Sequence, residues 1–156
     1  MLKLLKREPD IKIGGSDDPY MLRWYILPRN RWLNVYLHKF LRSDEYRANH
    51  DHPWPWLSLI LKGAYLEHVQ VGDNHTVHLR RAWRPRWGRA TDLHRVELRK
   101  HPLWPGHEHV WTLFVTGPRR RVWGFQCGSR WVDWRTFLGA DAGAETASEH
   151  WGPGCG

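Results

Sequence analysis

His50-Asp-His52 is a spacing that suits a metal ion. Side chains of an extended chain alternate between faces, so two histidines two residues apart point the same way and can offer their imidazoles to one ion. Pro53 and Pro55 follow. Proline brings no N–H to a sheet, so regular pairing is expected from about Trp56, with the histidine pair at the mouth of that strand. His94 heads a second candidate strand in which His94, Val96 and Leu98 share a face. A histidine leading an apolar inner face is costly unless it is bound or hydrogen-bonded. The expectation joining these residues is one divalent metal held by His50, His52 and His94. Imidazole suits Fe, Ni, Zn and Cu alike, and Mn is also open, so ligand type leaves the metal undecided.

Two more residues join if Lys62-Gly63 is a two-residue hairpin turn. Ser58 then faces Glu67 and Ile60 faces Tyr65, which puts Tyr65 and Glu67 on the histidine side as catalytic candidates. They would orient substrate or move protons, or Glu67 would be a further ligand. A slip of one residue in register reverses this placement.

Other features take plainer readings. His107-Glu-His109 repeats the spacing but follows Pro105-Gly106, and is read as an exposed hairpin loop between strands 94–98 and 110–116. His38, His68, His75, His78 and His101 are read as packing or surface residues. The run from Arg80 to Arg89 alternates cations with Trp83 and Trp87. It can stack bases and hold phosphates, but a solvated loop whose Arg stems cover Trp faces is the preferred reading, which leaves nucleic acid as a lesser partner. Cys127 closes an apolar strand and is read as buried and inert. With Cys155 it makes no disulfide framework, so a reducing cytoplasm is expected. The sequence contains no Gly-x-Ser-x-Gly, P-loop or dinucleotide glycine fingerprint.

The elements that must position these residues are short strands. Leu22–Leu27, Leu33–Leu41, Trp56–Leu61, Ala64–Val71, Val77–Ala82, His94–Leu98, Val110–Thr116 and Val122–Cys127 are rich in β-branched and aromatic residues and broken by Gly, Pro and Asn-Asp clusters. Gly72-Asp-Asn74 fits a turn, and a helical turn fits near Trp131–Leu138. An all-β, antiparallel sandwich or barrel is expected. In 156 residues this makes one domain, residues 22–138, with an N-terminal extension 1–21 and a flexible tail 139–156. Twelve Trp need packed walls or ligands, which excludes a disordered chain. No apolar run is long enough to cross a membrane, and the start has no signal-peptide core. The formal charge of +8 favours anionic ligands.

These motifs resemble the cupin superfamily. His50-Asp-His52 with Gly63 is similar to its first motif, and Gly88 with His94 to its second, over about residues 22–135. The tracts 90–98, 110–118 and 123–127 are similar to small phage and bacterial cupin-like proteins. The resemblance implies a jelly-roll barrel, with dimers common among its members. Where the first motif carries a Glu ligand this chain has Trp56, which leaves three histidines, as in the thiol dioxygenases of the superfamily. It therefore implies a mononuclear non-haem iron(II) dioxygenase acting on a small polar or anionic substrate. The alternatives are non-oxidative isomerase or lyase chemistry on another metal, and a non-catalytic binding barrel.

Overall fold

The computed structural model describes residues 7–14, 17–44, 48–101, 106–139 and 153–156. Twelve strands form two six-stranded antiparallel sheets that face each other. The first sheet runs β1 (Ile11–Ile13), β2 (Met21–Tyr25), β3 (Asn34–Phe40), β10 (Val110–Thr116), β5 (Trp56–Lys62) and β8 (Pro85–Gly88). The second runs β12 (Arg130–Asp133), β11 (Gly124–Cys127), β4 (Asn49–His50), β9 (Leu93–Leu98), β6 (Ala64–Val71) and β7 (Asn74–Arg81). Among the described residues, no helix is long and apolar enough to cross a membrane.

Strand alternation builds the interior. In β5, Trp56, Ser58 and Ile60 are buried, and in β9 so are His94, Val96 and Leu98, while the residues between them are partly exposed. Met21, Phe40, Ile60, Tyr65, Val96, Leu98 and Val110 pack into one apolar cluster between the sheets. A second cluster, Ala48, Phe125, Trp134 and Phe137, seats the helix α1 (Trp134–Leu138) against β11, with the Phe125 and Phe137 rings 3.8 Å apart. Asp133 caps this helix by accepting from the Arg135 N–H at 2.8 Å, and Gly139 ends it at φ 62°.

Four expectations need correction. Lys62-Gly63 is not a hairpin turn. β5 pairs with β10 and β8, while β6 pairs with β7 and β9 in the opposite sheet. The chain turns a corner at Gly63, whose φ of 87° suits glycine and whose missing Cβ would lie 3.0 Å from the His109 carbonyl. Ser58 therefore opposes Phe114 and Arg86, and Glu67 opposes His78 and Val96. Tyr65 and Glu67 still point inward, because both sheets turn their apolar alternation toward the same interior. The true hairpin joins β6 to β7, with Val71 paired to Asn74 across Gly72-Asp73.

The second correction concerns residues 80–89. Arg80 and Arg81 end β7, and Arg86 lies in β8 on the edge of the first sheet, so much of the segment is strand rather than loop, while Trp83 and Trp87 are solvent-exposed. Pro85 heads that edge strand, a position where no ladder N–H is lost. Third, strands 94–98 and 110–116 belong to opposite sheets, so the His107-Glu-His109 segment crosses between sheets; the hairpin is only local, an antiparallel bridge of Lys100 with His107 in which the Glu108 N–H donates to the Arg99 carbonyl at 2.8 Å. Fourth, Cys127 and Cys155 form a disulfide, so the inert thiol and the free-cysteine argument for the cytoplasm both fall. The Gly154 N–H also donates to the Phe137 carbonyl at 3.0 Å, and the Arg130 guanidinium to the Cys155 carbonyl at 2.9 Å. The last four residues are thus tied to the second cluster. The rest of the expected tail, 140–152, lies outside the described residues. The expected N-terminal extension contributes β1, paired to β2.

Candidate metal centre

His50 and His94 lie directly opposite each other on β4 and β9. His52 sits two residues past His50, its backbone N–H donating to the Ala90 carbonyl at 3.0 Å. Asp51, between them, points the other way and is 2% exposed. It accepts from the Gly124 N–H at 2.8 Å and the Trp131 indole at 3.0 Å, and it pairs with Arg121. This anchoring fixes the backbone from which both histidines project.

The three rings meet with centroids 5.0 to 5.2 Å apart. One nitrogen from each lies within 4.8 Å of the others. His52 Nε2 and His94 Nε2 are 2.9 Å apart. Two nitrogens bound at right angles to a common ion about 2.1 Å away would stand about 3 Å apart, so the spacing fits a shared ligand sphere.

Protonation state favours ligation as well. Burial lowers His50 to about 4, with Asp44 opposing the shift and His94 adding to it. Burial, then His94 and His50, holds His52 well below the usual imidazole range. Both rings are therefore neutral at pH 7, as metal ligands must be. His94 Nδ1 bonds Glu67 Oε1 at 2.9 Å, which leaves Nε2 for the centre. Glu67 is reached diagonally: it opposes Val96, two residues beyond His94. A donor set of three imidazoles, one of them held by a carboxylate, suits a divalent ion.

Glu67 is fully buried. Its Oε2 accepts from Arg80 Nε at 2.7 Å and Arg86 Nε at 3.3 Å. Burial alone would raise its pKa, but the His94 hydrogen bond and charge, with Arg86 and Arg80, hold it at about 2. The carboxylate stands behind His94 and does not line the cavity in front of the histidines. Tyr65 does line that cavity, and burial followed by the Glu67 charge raises its hydroxyl well above the phenol range.

The cavity measures about 270 Å³ and is walled by Phe40, Trp56, Tyr65 and Phe114 among others. The Trp56 ring stacks on His94 with centroids 4.9 Å apart and planes 21° from parallel. Its indole lies across Gly88, where a Cβ would come within 2.1 Å of the ring. Several contributors carry no local signal in the sequence. Asp44 places a carboxylate oxygen 3.8 Å from His50 Nδ1. Arg80 and Arg86 reach Glu67 from another strand and from the other sheet. His38, read from the sequence as packing or surface, lines the cavity.

No family model matches the chain, and no curated protein matches it. Solved structures do. A candidate mannose-6-phosphate isomerase from Ralstonia eutropha JMP134 is 19% identical, with a TM-score of 0.51 over 70% of this chain and 92% of its own. Iron(II) HppE in complex with substrate is 15% identical, with a TM-score of 0.54 over 70% of this chain and 56% of its own. Oxalate oxidase in complex with the substrate analogue glycolate is 13% identical, with a TM-score of 0.52 over 88% of this chain and 67% of its own. At these identities the likeness is one of fold, and this chain spans little more than half of HppE. Two facing antiparallel sheets, with three imidazoles meeting between them, give this protein the cupin jelly-roll fold.

Proposed function

We propose that this protein is a metal-dependent enzyme in which His50, His52 and His94 hold one divalent ion, iron(II) in preference, and that it is a dioxygenase acting on a small polar or anionic substrate. The observation that carries this reading is the convergence of three imidazoles, two of them held neutral by burial, in the wall of a cavity between the sheets. When bound, such an ion supplies Lewis acidity and, for iron, redox chemistry with O₂ at the positions three protein ligands leave open.

The chain's own groups have distinct tasks. Glu67 accepts the His94 Nδ1–H and so aims Nε2 at the centre, while Arg80 and Arg86 keep the carboxylate charged. Glu67 is thus a positioning residue. Tyr65 stays protonated through the physiological range and offers a hydroxyl at the cavity wall to orient substrate. Trp56 and Phe114, with rings 5.7 Å apart, exclude water from the space beside His52 and His94.

Metal analysis of protein purified without a nickel column tests this reading. Close to one equivalent of iron, with O₂ uptake when substrate candidates are added, is expected. His50→Ala and His94→Ala should each abolish metal retention; full occupancy in both would end the assignment. Zinc without O₂ uptake would move the reaction to non-oxidative isomerase or lyase chemistry on the same three ligands.

A further inference from the structure

Among the described residues, the partly buried arginines near the site meet a carboxylate or a backbone carbonyl, with Arg23 the exception. Arg121 pairs with Asp51, and Arg80 and Arg86 share Glu67. Arg42, which also lines the cavity, is occupied by the Gly14 and Asp18 carbonyls and lies 3.5 Å from the Asp18 carboxylate. Arg23 differs. It lies on β2 directly opposite His38 of β3, and its Nε donates to His38 Nε2 at 2.9 Å. Its guanidinium carbon sits 4.7 Å over the Tyr36 ring. Among the described residues no carboxylate pairs with it.

A neutral acceptor aims a guanidinium without cancelling its charge. His38 is itself locked, 3% exposed and stacked against Tyr36 and Phe114 with centroids at 5.8 and 5.2 Å. The contact engages one of five donors, and the terminal nitrogens retain the fork geometry that grips a carboxylate or phosphonate through two bonds. Arg23 and His38 line the same cavity as His50, His52 and His94. The cation and the imidazoles thus open onto one cavity. Leaving a partly buried guanidinium without a counter-ion is costly, and an anionic ligand offsets that cost.

We propose that Arg23 is the anion-binding group of this cavity, gripping the carboxylate, phosphonate or sulfonate of a small organic ligand, and that His38 is the positioning residue that aims it. This rests on reading the cavity as the substrate site, with the anionic end of the substrate at Arg23 and its reacting end at the imidazoles.

Binding to metal-free, chelator-treated protein separates this inference from the metal assignment. The probes are butyrate, propylphosphonate and the neutral isostere butyramide, titrated by saturation-transfer NMR. Both anions should bind at least tenfold more tightly than butyramide. Arg23→Met should reduce anion affinity at least tenfold and leave butyramide unchanged. His38→Phe should give a smaller, anion-specific loss of about threefold, which His38→Gln, with its amide acceptor, restores. The surface variant Arg99→Ala should bind butyrate normally. If circular dichroism shows that Arg23→Met does not fold, Arg23→Lys serves, with an intermediate loss expected. Anion and amide binding alike, no saturable anion binding, or full affinity in the folded Arg23 variant would overturn the proposal. Arg23-dependent butyrate binding in a protein that retains no metal would defeat the metal reading alone.

Discussion

Two residues along a strand separate the packed core from the candidate site. Met21 gives way to Arg23 on β2, Phe40 to His38 on β3, Ile60 to Ser58 on β5, Tyr65 to Glu67 on β6 and Val96 to His94 on β9. Five strands from two sheets change from apolar to polar at the same depth. Each residue keeps the inward parity of the one before it, because side chains two apart share a face. The lesson is that one alternation serves both layers. The apolar layer stabilises the interior by burial, and the layer beside it is held in place by the same strands at a cost in stability.

The sharpest break of this comparison lies in the apolar layer. Ile60 is 2% exposed, and we predict that Ile60→Ala costs about 4 kcal/mol through lost burial and a residual cavity. Denaturant unfolding checks this, and a loss below about 1 kcal/mol would mean that the layer is not tightly packed. Next is Glu67→Ala, which leaves Arg80 and Arg86 without their shared carboxylate. A loss of about 3 kcal/mol is expected, with Glu67→Gln milder because it keeps an acceptor for His94. Equal stability of Glu67→Ala and the parent would show that solvent already screens both arginines.

The pH dependence of the metal-free protein comes third. The folded His50 value of about 4 lies below the unfolded value of 6.5. The unfolded chain therefore binds the extra proton first, so this contribution is complete above pH 6.5 and lost as pH falls toward 4. It amounts to about 3 kcal/mol. Glu67, also depressed, extends the loss from about pH 4.5 toward 2. Denaturation midpoints that stay level from pH 7 to 4 would contradict the first part. The smallest expected effect is His52→Ala. It should change metal-free stability by less than about 1 kcal/mol, because the ring borders an existing cavity, while metal retention disappears. A core-sized loss of stability would place His52 functionally with Ile60.

The legible and illegible parts of this molecule divide along the same line. The convergence of His50, His52 and His94 was legible because each lies on a face marked by period-two alternation. The inward direction of Tyr65 and Glu67 was legible for the same reason, although the hairpin used to reach it does not exist. Alternation reports which way a side chain points but not which sheet its strand joins. Lys62-Gly63 therefore looked like a hairpin turn while making a corner. Strands β1, β4, β8 and β12 were missed because two to four residues are too few to show a period, and β8 begins with proline. Arg80 and Arg86 looked like surface cations because Glu67, their partner, comes into reach only when the sheets close. The Cys127–Cys155 bridge was hidden by the glycine-rich composition of the segment carrying Cys155.

Gly88 has a reach that its size conceals. The indole of Trp56 fills the volume a Cβ would need there, and the same ring stacks on His94. β8 and the imidazole wall are thus spaced by the thickness of a single aromatic plate. A methyl group added at residue 88 has nowhere to go except into that plate, which can only slide toward the histidines or tip into the cavity. A side chain that never touches the centre thus sets its clearance, like a shim behind a hinge.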